Sequence, residues 1–290
     1  MNVAEYDEAE KAAVRRLPNL VTGAFLPEFY TSRAYDQSQL WRHMDAMHEG
    51  RKEYNWGLLG GLTADEFLRF CRITKCVDSL AQNLCDRRMQ ATTTLLRAIY
   101  QARLVTAFNP ASVLEVGPGS GYLGAMLMLA GYRYSAVEVS QAFYLCQSNL
   151  WEAVGLRPHV HFTWWQWADE MPTRAELVTA NHVLCEMHPY AVGFLAYRAK
   201  GIGMKNLILD SWGLQRIPSE SVIRKFKEFG YSVSDFGKEV HCFGQMPDFA
   251  QPDVTVSRGL VEEWLVDHFD GAVPGNPCEA FLEKCKIRTV

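Results

Sequence analysis

At 290 residues the chain is long enough for one large domain, or one domain carrying a cap, and an apolar fraction of 48% supplies a sizeable core. A net charge of −4 with no Lys/Arg run excludes the basic stripe that nucleic acid needs, and no apolar run approaches the ~20 residues of a membrane span. The eight cysteines show no C-x-x-C spacing and read as reduced thiols of a cytoplasmic protein, and the acidic first eight residues carry no secretory signal.

Residues 1–17 favour a short surface helix, and Pro18 and Pro27 bracket a loop. From Gln37 to Glu49, Leu40, Trp41, Met44 and Met47 or His48 recur at helical spacing and make one apolar face. The glycines between Tyr54 and Gly61 mark a hinge-like break. Thr63-Ala-Asp-Glu66 is a capping box, and the helix it opens carries Phe67, Phe70, Cys71, Val77, Leu80 and Leu84 on one side. A further helix is expected from about Met89 to Ala107. Residues 1–108 therefore read as an all-helical front. Its aromatic residues Phe29, Tyr30, Tyr35, Trp41, Tyr54 and Trp56 fit either a substrate lid or a seam against the next domain, and for Trp41 the seam is preferred.

From Ser112 strands and helices alternate, as a parallel sheet with crossover helices demands. Strands are expected at 112–116, 133–138, 159–165, 176–181 and 205–211, and helices near 121–131, 141–154, 186–200 and 218–229. Tyr231 to Phe236 and Val240 to Gln245 read as an antiparallel hairpin at the sheet edge. The tail holds a helix near 258–268 with Val261, Trp264 and Leu265, and Asn276-Pro277 looks like the start of a last short one. The domains are thus 1–108, 109–248 and a helical extension 249–290.

The chemistry centres on Val113-Leu-Glu-Val-Gly-Pro-Gly-Ser-Gly-Tyr-Leu-Gly124, a strand, a glycine turn and the start of a helix. Gly117, Gly119 and Gly121 let backbone approach a ligand closely. The next strand, Tyr132 to Glu138, also ends in an acid, roughly 20 residues past the turn, where a ribose hydroxyl pair is held. Either signal alone has a plain reading, a connecting turn or an exposed strand-end acid. Together they point to an adenosine-containing cofactor.

Gly119-x-Gly121-x-x-Gly124 satisfies the dinucleotide fingerprint literally, but the pattern is better written Glu115-x-Gly117-x-Gly119-x-Gly121. In that form it resembles the first motif of the class I S-adenosylmethionine (SAM)-dependent methyltransferases. Ala175 to Pro189 looks like that family's fourth strand and the loop after it, and the resemblance covers roughly residues 90–245. It is nearest the small-molecule type, toward the sugar O-methyltransferases. It implies a Rossmann-like α/β sheet of about seven strands whose last pair is antiparallel, here with an N-terminal all-helical cap. It also implies SAM as cofactor, with Glu115 and Glu138 gripping its amino-acid and sugar ends. Gln166 and Trp167 fall where the adenine ring is packed and bonded, and Asn181 falls beside the methionine part. Tyr122 and Val139 complete the expected cofactor set. Of Trp164 and Trp165, at least one reads as plain core packing.

The loop from Asn181 to His188 brings three ionisable side chains to the same mouth. Methyl transfer is an in-line displacement, and a hydroxyl acceptor profits from a general base. His182, Glu186 and His188 are the candidates. Each also has a structural reading: His182 capping the strand end, Glu186 opening a helix, His188-Pro189 starting one. No metal is expected, because His182 and Glu186 at i, i+4 need one helix and a strand end intervenes. His159 and His161 share one face of a strand and read as structural. The expected function is transfer of a methyl group to a hydroxyl or amine of a small polar molecule. A non-catalytic SAM-binding regulator and an NAD(P)-dependent oxidoreductase are the alternatives. The helical front and tail suit a homodimer interface as well as a lid.

Overall fold

The structure, a computed structural model, describes residues 3–16, 51–138, 140–170, 174–181, 183, 184, 187, 189–210, 219–236, 240–243, 247 and 249–269. The helix expected at 37–49, the aromatic residues 29, 30, 35 and 41, and the Asn276-Pro277 helix start lie outside them.

Four helices precede the sheet: α1 (Val3–Arg16), α2 (Lys52–Leu59), α3 (Ala64–Cys85) and α4 (Thr92–Ala107). The capping box at α3 forms as the sequence predicts: Thr63 Oγ1 accepts from the Glu66 N–H at 3.1 Å, and Glu66 Oε2 accepts from the Thr63 N–H at 2.8 Å. The expected break at Tyr54 to Gly61 is instead mostly helix α2, which ends only at Gly60, in a left-handed conformation. Gly57 alone is too weak a breaker to stop a helix whose Trp56 and Leu59 are buried. Helix α4 starts later than expected because the Met89 N–H is drawn to the Asp78 carboxylate on α3, 3.0 Å away.

The remaining elements are β1 (Val113–Val116), α5 (Tyr122–Leu129), β2 (Tyr134–Glu138), α6 (Gln141–Val154), β3 (Val160–Thr163), α7 (Trp164–Glu170), β4 (Leu177–Asn181), α8 (Pro189–Gly201), β5 (Asn206–Asp210), α9 (Ser219–Glu228), β6 (Val233–Phe236), β7 (Val240–Phe243) and α10 (Arg258–Phe269). The sheet runs in the order β3-β2-β1-β4-β5-β7-β6. Strands β1 to β5 pair in parallel, and β7 lies antiparallel to both β5 and β6. The chain leaves β1 toward β3 and returns to β4 on the other side. The carboxyl ends of β1 and β4 therefore flank the topological switch point, where an open α/β sheet leaves its ligand crevice.

The third strand is shorter than the expected 159–165. It stops at Thr163, and Trp164 opens α7. Thr163-Trp-Trp-Gln166 is itself a capping box: Gln166 Oε1 accepts from the Thr163 N–H at 3.0 Å, and the Gln166 N–H approaches Thr163 Oγ1 at 3.4 Å. Trp164 and Trp167, three apart, then share one helix face and pack at 5.4 Å, while Trp165 turns the other way.

One apolar cluster fills the space between helices α2 to α6, α10 and one sheet face, joining Trp56, Phe67 and Phe70 to Val113, Leu177, Ile208 and Trp264. It spans both boundaries drawn from the sequence, at 108 and 249. A second covers the other face, with α8 and α9 over Leu114, Val116, Val178 and Leu207. A third is small: Tyr6 of α1 meets Tyr144 at 5.4 Å and Trp165 at 5.1 Å.

Arg103 of α4 clamps the α2–α3 junction. Its Nε and Nη2 grip both Glu66 oxygens at 2.8 and 2.7 Å, and it donates to the carbonyls of Leu59 at 2.8 Å and Gly61 at 2.7 Å. Nη1 also reaches Gln251 at 3.1 Å, and Leu62 bridges to Val256, so the C-terminal segment is tied to the same corner. Among the described residues no helix is long and apolar enough to cross a membrane.

Candidate active site

The site is built from strand tips. Buried β1 and β2 run side by side and deliver Glu115 and Glu138 to the same end of the sheet. Between β1 and α5 the glycine loop turns sharply. Gly117 has φ +68°, and a Cβ there would stand 2.5 Å from Val183 Cγ2, so no side chain fits. Gly119 also lies in the left-handed region, at φ +53°, but among the described residues nothing stands within 4 Å of where its Cβ would be. The bend at Gly119 thus faces open space with bare backbone.

Glu138 is buried and held on both oxygens. Oε2 accepts from Gln147 Nε2 at 2.8 Å and from the Gly119 N–H at 3.3 Å, and Oε1 accepts from the Ser140 N–H at 2.9 Å. The loop is braced from α6: Gln147 Nε2 also donates to the Gly119 carbonyl at 2.8 Å, and Trp151 Nε1 donates to that of Gly121 at 2.9 Å. Gln147, Trp151 and Ser140 were not expected from the sequence. The one available signal was a polar residue, Gln147, on the helix face that also carries Tyr144 and Trp151.

Glu115 is also buried, and its Oε2 accepts from Tyr134 Oη at 2.6 Å. Burial pushes its carboxyl up to about 7, with hydrogen bonding from Tyr134 and Asn181 opposing and the Glu138 charge adding to the rise. An unfolded glutamate titrates at about 4.3. Between that value and about 7 the folded chain keeps a proton that the unfolded chain has lost. This group's contribution to stability therefore falls as pH rises through the window and is flat above it, by an amount on the order of 3 kcal/mol. Glu115→Gln keeps an oxygen for Tyr134 and carries no charge. Its stability in urea at pH 8, relative to the wild type, should exceed its relative stability at pH 5. Equal pH slopes in the two proteins would show that Glu115 ionises freely in the fold.

Asn181, at the tip of β4, accepts from Thr179 Oγ1 at 3.3 Å, and among the described residues its buried Nδ2 makes only a loose approach to Glu115. Tyr122 is buried in the first core, and among the described residues its Oη has no hydrogen-bond partner. Trp167 departs from expectation: its ring is fully enclosed in the second core, 6.1 Å from Phe194, which leaves no face for adenine. Gln166 stays partly exposed at the β3 tip. Val139, His182, Glu186 and His188 lie outside the described residues. His159 pairs with Arg133 and stands apart from the cluster, whereas His161 belongs to it through Gln147.

No protein-family model and no curated protein matches the sequence. Solved structures with which the chain shares a likeness include methyltransferases. A TehB-like SAM-dependent methyltransferase from Corynebacterium glutamicum is 16% identical over 50% of this chain and 86% of that one, with a TM-score of 0.40. The glycopeptide N-methyltransferase MtfA, complexed with S-adenosyl-L-homocysteine, is 13% identical over 49% of this chain and 86% of that one, with a TM-score of 0.38. The magnesium protoporphyrin IX methyltransferase of Synechocystis, with bound SAM, is 17% identical over 51% of this chain and 81% of that one, with a TM-score of 0.36.

Proposed function

We propose that the chain is a SAM-dependent methyltransferase that methylates a hydroxyl or amine of a small polar molecule. The observation that carries this reading is the coupling of the two cofactor signals. The carboxylate at the tip of β2 is tied to the N–H of Gly119, the loop residue whose Cβ position faces open space.

The residues suit such a cofactor. Glu138 is placed to accept from the ribose hydroxyls, and the Asn181 amide offers a donor to the amino-acid carboxylate. Gln166 is the polar side chain at the β3 tip for the adenine edge. Glu115, bonded to Tyr134 below the loop, acts by positioning it. Bound SAM supplies a methyl group activated on a sulfonium sulfur. Toward an acceptor hydroxyl, His182, Glu186 or His188 takes the proton, since an alkoxide is too basic to persist near neutral pH. Toward an amine they orient the neutral nitrogen. Low polarity favours the loss of charge in such a transfer. Of the helical front, α1 reaches the β3 side of the site through Tyr6, and we assign it the covering role.

The test is calorimetry with SAM and S-adenosylhomocysteine (SAH), beside an NADH titration. Micromolar binding of the first two and none of NADH is expected. Methyl transfer from labelled SAM into a metabolite extract, read by mass spectrometry, then separates an enzyme from a SAM-binding regulator. Gly119→Ala sharpens the assignment. The variant meets only left-handed strain of about 1 kcal/mol, a melting shift of about 2–4 °C. Its methyl group occupies the ligand approach, so the Kd for SAH should rise about tenfold or more, by about 1.4 kcal/mol. Unchanged affinity would place the ligand elsewhere.

A further inference from the structure

Behind Glu138 the structure holds a chain of polar groups that the sequence reading did not assign. Gln147 is fully buried on α6. Its Nε2 has two protons and two acceptors, Glu138 Oε2 and the Gly119 carbonyl, each at 2.8 Å. Its Oε1 lies 2.9 Å from His161 Nε2. Flipped by half a turn, the amide would set its oxygen against a carboxylate and a carbonyl, so only one orientation satisfies every group. That orientation needs a donor at Oε1, and His161 provides it as the Nε2–H tautomer. Burial pushes the imidazole down to about 3, so it stays neutral and carries one ring proton. On Nδ1 that proton would reach only Ser148 Oγ, at 3.4 Å, and would leave two acceptors, Nε2 and Gln147 Oε1, facing each other at 2.9 Å, so the Nε2–H tautomer is favoured. The ring itself is clamped, stacked on Tyr144 at 3.9 Å and met edge-on by Trp151 at 4.8 Å. Trp151 in turn holds the Gly121 carbonyl.

We propose that His161 and Gln147 are positioning residues: His161 sets the Gln147 amide, and the amide fixes the Glu138 carboxylate and the Gly119 bend in the geometry that receives a ribose diol. This rests on the reading of the site as an adenosine-cofactor pocket, and it adds a specificity device in the β3–α6 layer that touches no ligand. A buried polar pair that served only the fold would lower stability when cut, yet would treat every ligand alike. A device that aims Glu138 affects only ligands with the hydroxyls Glu138 receives.

The experiment measures Kd for SAH and for its 2′-deoxy and 3′-deoxy counterparts, in the wild type and two variants. The full chain is used throughout. His161→Phe keeps the stacked ring and removes the donor, and Gln147→Met keeps the length and removes the amide. In the wild type at least one deoxy ligand should bind about tenfold more weakly than SAH. In either variant SAH should lose about tenfold while that deoxy ligand is nearly unaffected, so the discrimination collapses. The double variant should lose no more than either single one, because the two residues form one relay. His161→Gln, which restores an N–H donor, should recover part of the discrimination. Discrimination retained in both variants overturns the inference, as does an equal loss for SAH and the deoxy ligands. Should one variant fail to fold by circular dichroism, the other decides. A wild type that binds no SAH refutes the cofactor reading itself, an outcome distinct from either result in the variants.

Discussion

Replacing Glu138 by alanine should remove most of the affinity for SAM and SAH. A carboxylate accepting from two ribose hydroxyls makes charge-assisted hydrogen bonds worth about 1.5–3 kcal/mol each. Losing both costs about 3 kcal/mol or more, on the order of a hundredfold in Kd. The deletion also strips the acceptor from the Gln147 amide and from the N–H groups of Gly119 and Ser140. The loop then loses the bond that anchors its open bend, so binding should fall through lost preorganisation as well as lost contact. Glu138→Gln is the informative companion. Its amide oxygen can serve one side of this donor set, but its NH2 faces donors on the other, so an intermediate loss is expected. Calorimetry with SAH reads both variants. Affinity of the alanine variant within threefold of the wild type would remove Glu138 from the ribose site.

The largest effect on stability is expected at Arg103, on α4 and outside the glycine loop. The guanidinium and Glu66 are both buried, and the fork also serves the carbonyls of Leu59 and Gly61. Arg103→Met leaves a buried carboxylate with only its capping bond to Thr63. Breaking one side of a buried ion pair costs about 3–5 kcal/mol. The urea midpoint should fall accordingly. The double variant Arg103→Met/Glu66→Leu should recover part of the loss, because the stranded charge, more than the missing attraction, sets the penalty. A loss under about 1 kcal/mol in the single variant would mean that water reaches this corner and solvates Glu66.

Both variants bear on features of different legibility. The place of Glu138 at the end of β2 is readable because its signal is local: an acid ending an apolar strand, a fixed distance past a glycine turn. The capping box at Thr63 was readable for the same reason, since its four residues interact with one another. The capping box at Thr163 carries the same pattern inside a segment whose composition predicts a strand. Three tryptophans beside a β-branched residue suit a strand by propensity, and only burial on two different sides makes the segment helical. Gly57 shows the converse: a glycine predicts a break, yet the buried Trp56 and Leu59 outweigh one poor helix former. The family resemblance puts Trp167 in a loop beside the cofactor, but here the segment is a packed helix and the ring lies in the core.

What the amino-acid sequence determined by itself is the alternation of strands and helices, the bare glycine bend and the acids at the ends of β1 and β2. Each depends on residues within one turn or one strand of each other, where conformational preference and side-chain period speak directly. What only the tertiary structure decided is how that bend is held and how the helical front is pinned together. Gln147 meets Glu138 across nine residues, His161 meets Gln147 across fourteen and Arg103 meets Glu66 across thirty-seven. Such contacts follow from the order in which strands and helices stack, and no local pattern encodes that order. The helical front shows the same limit: its amphipathic faces announced that something would cover them, and the fold supplied the sheet for α2 to α4.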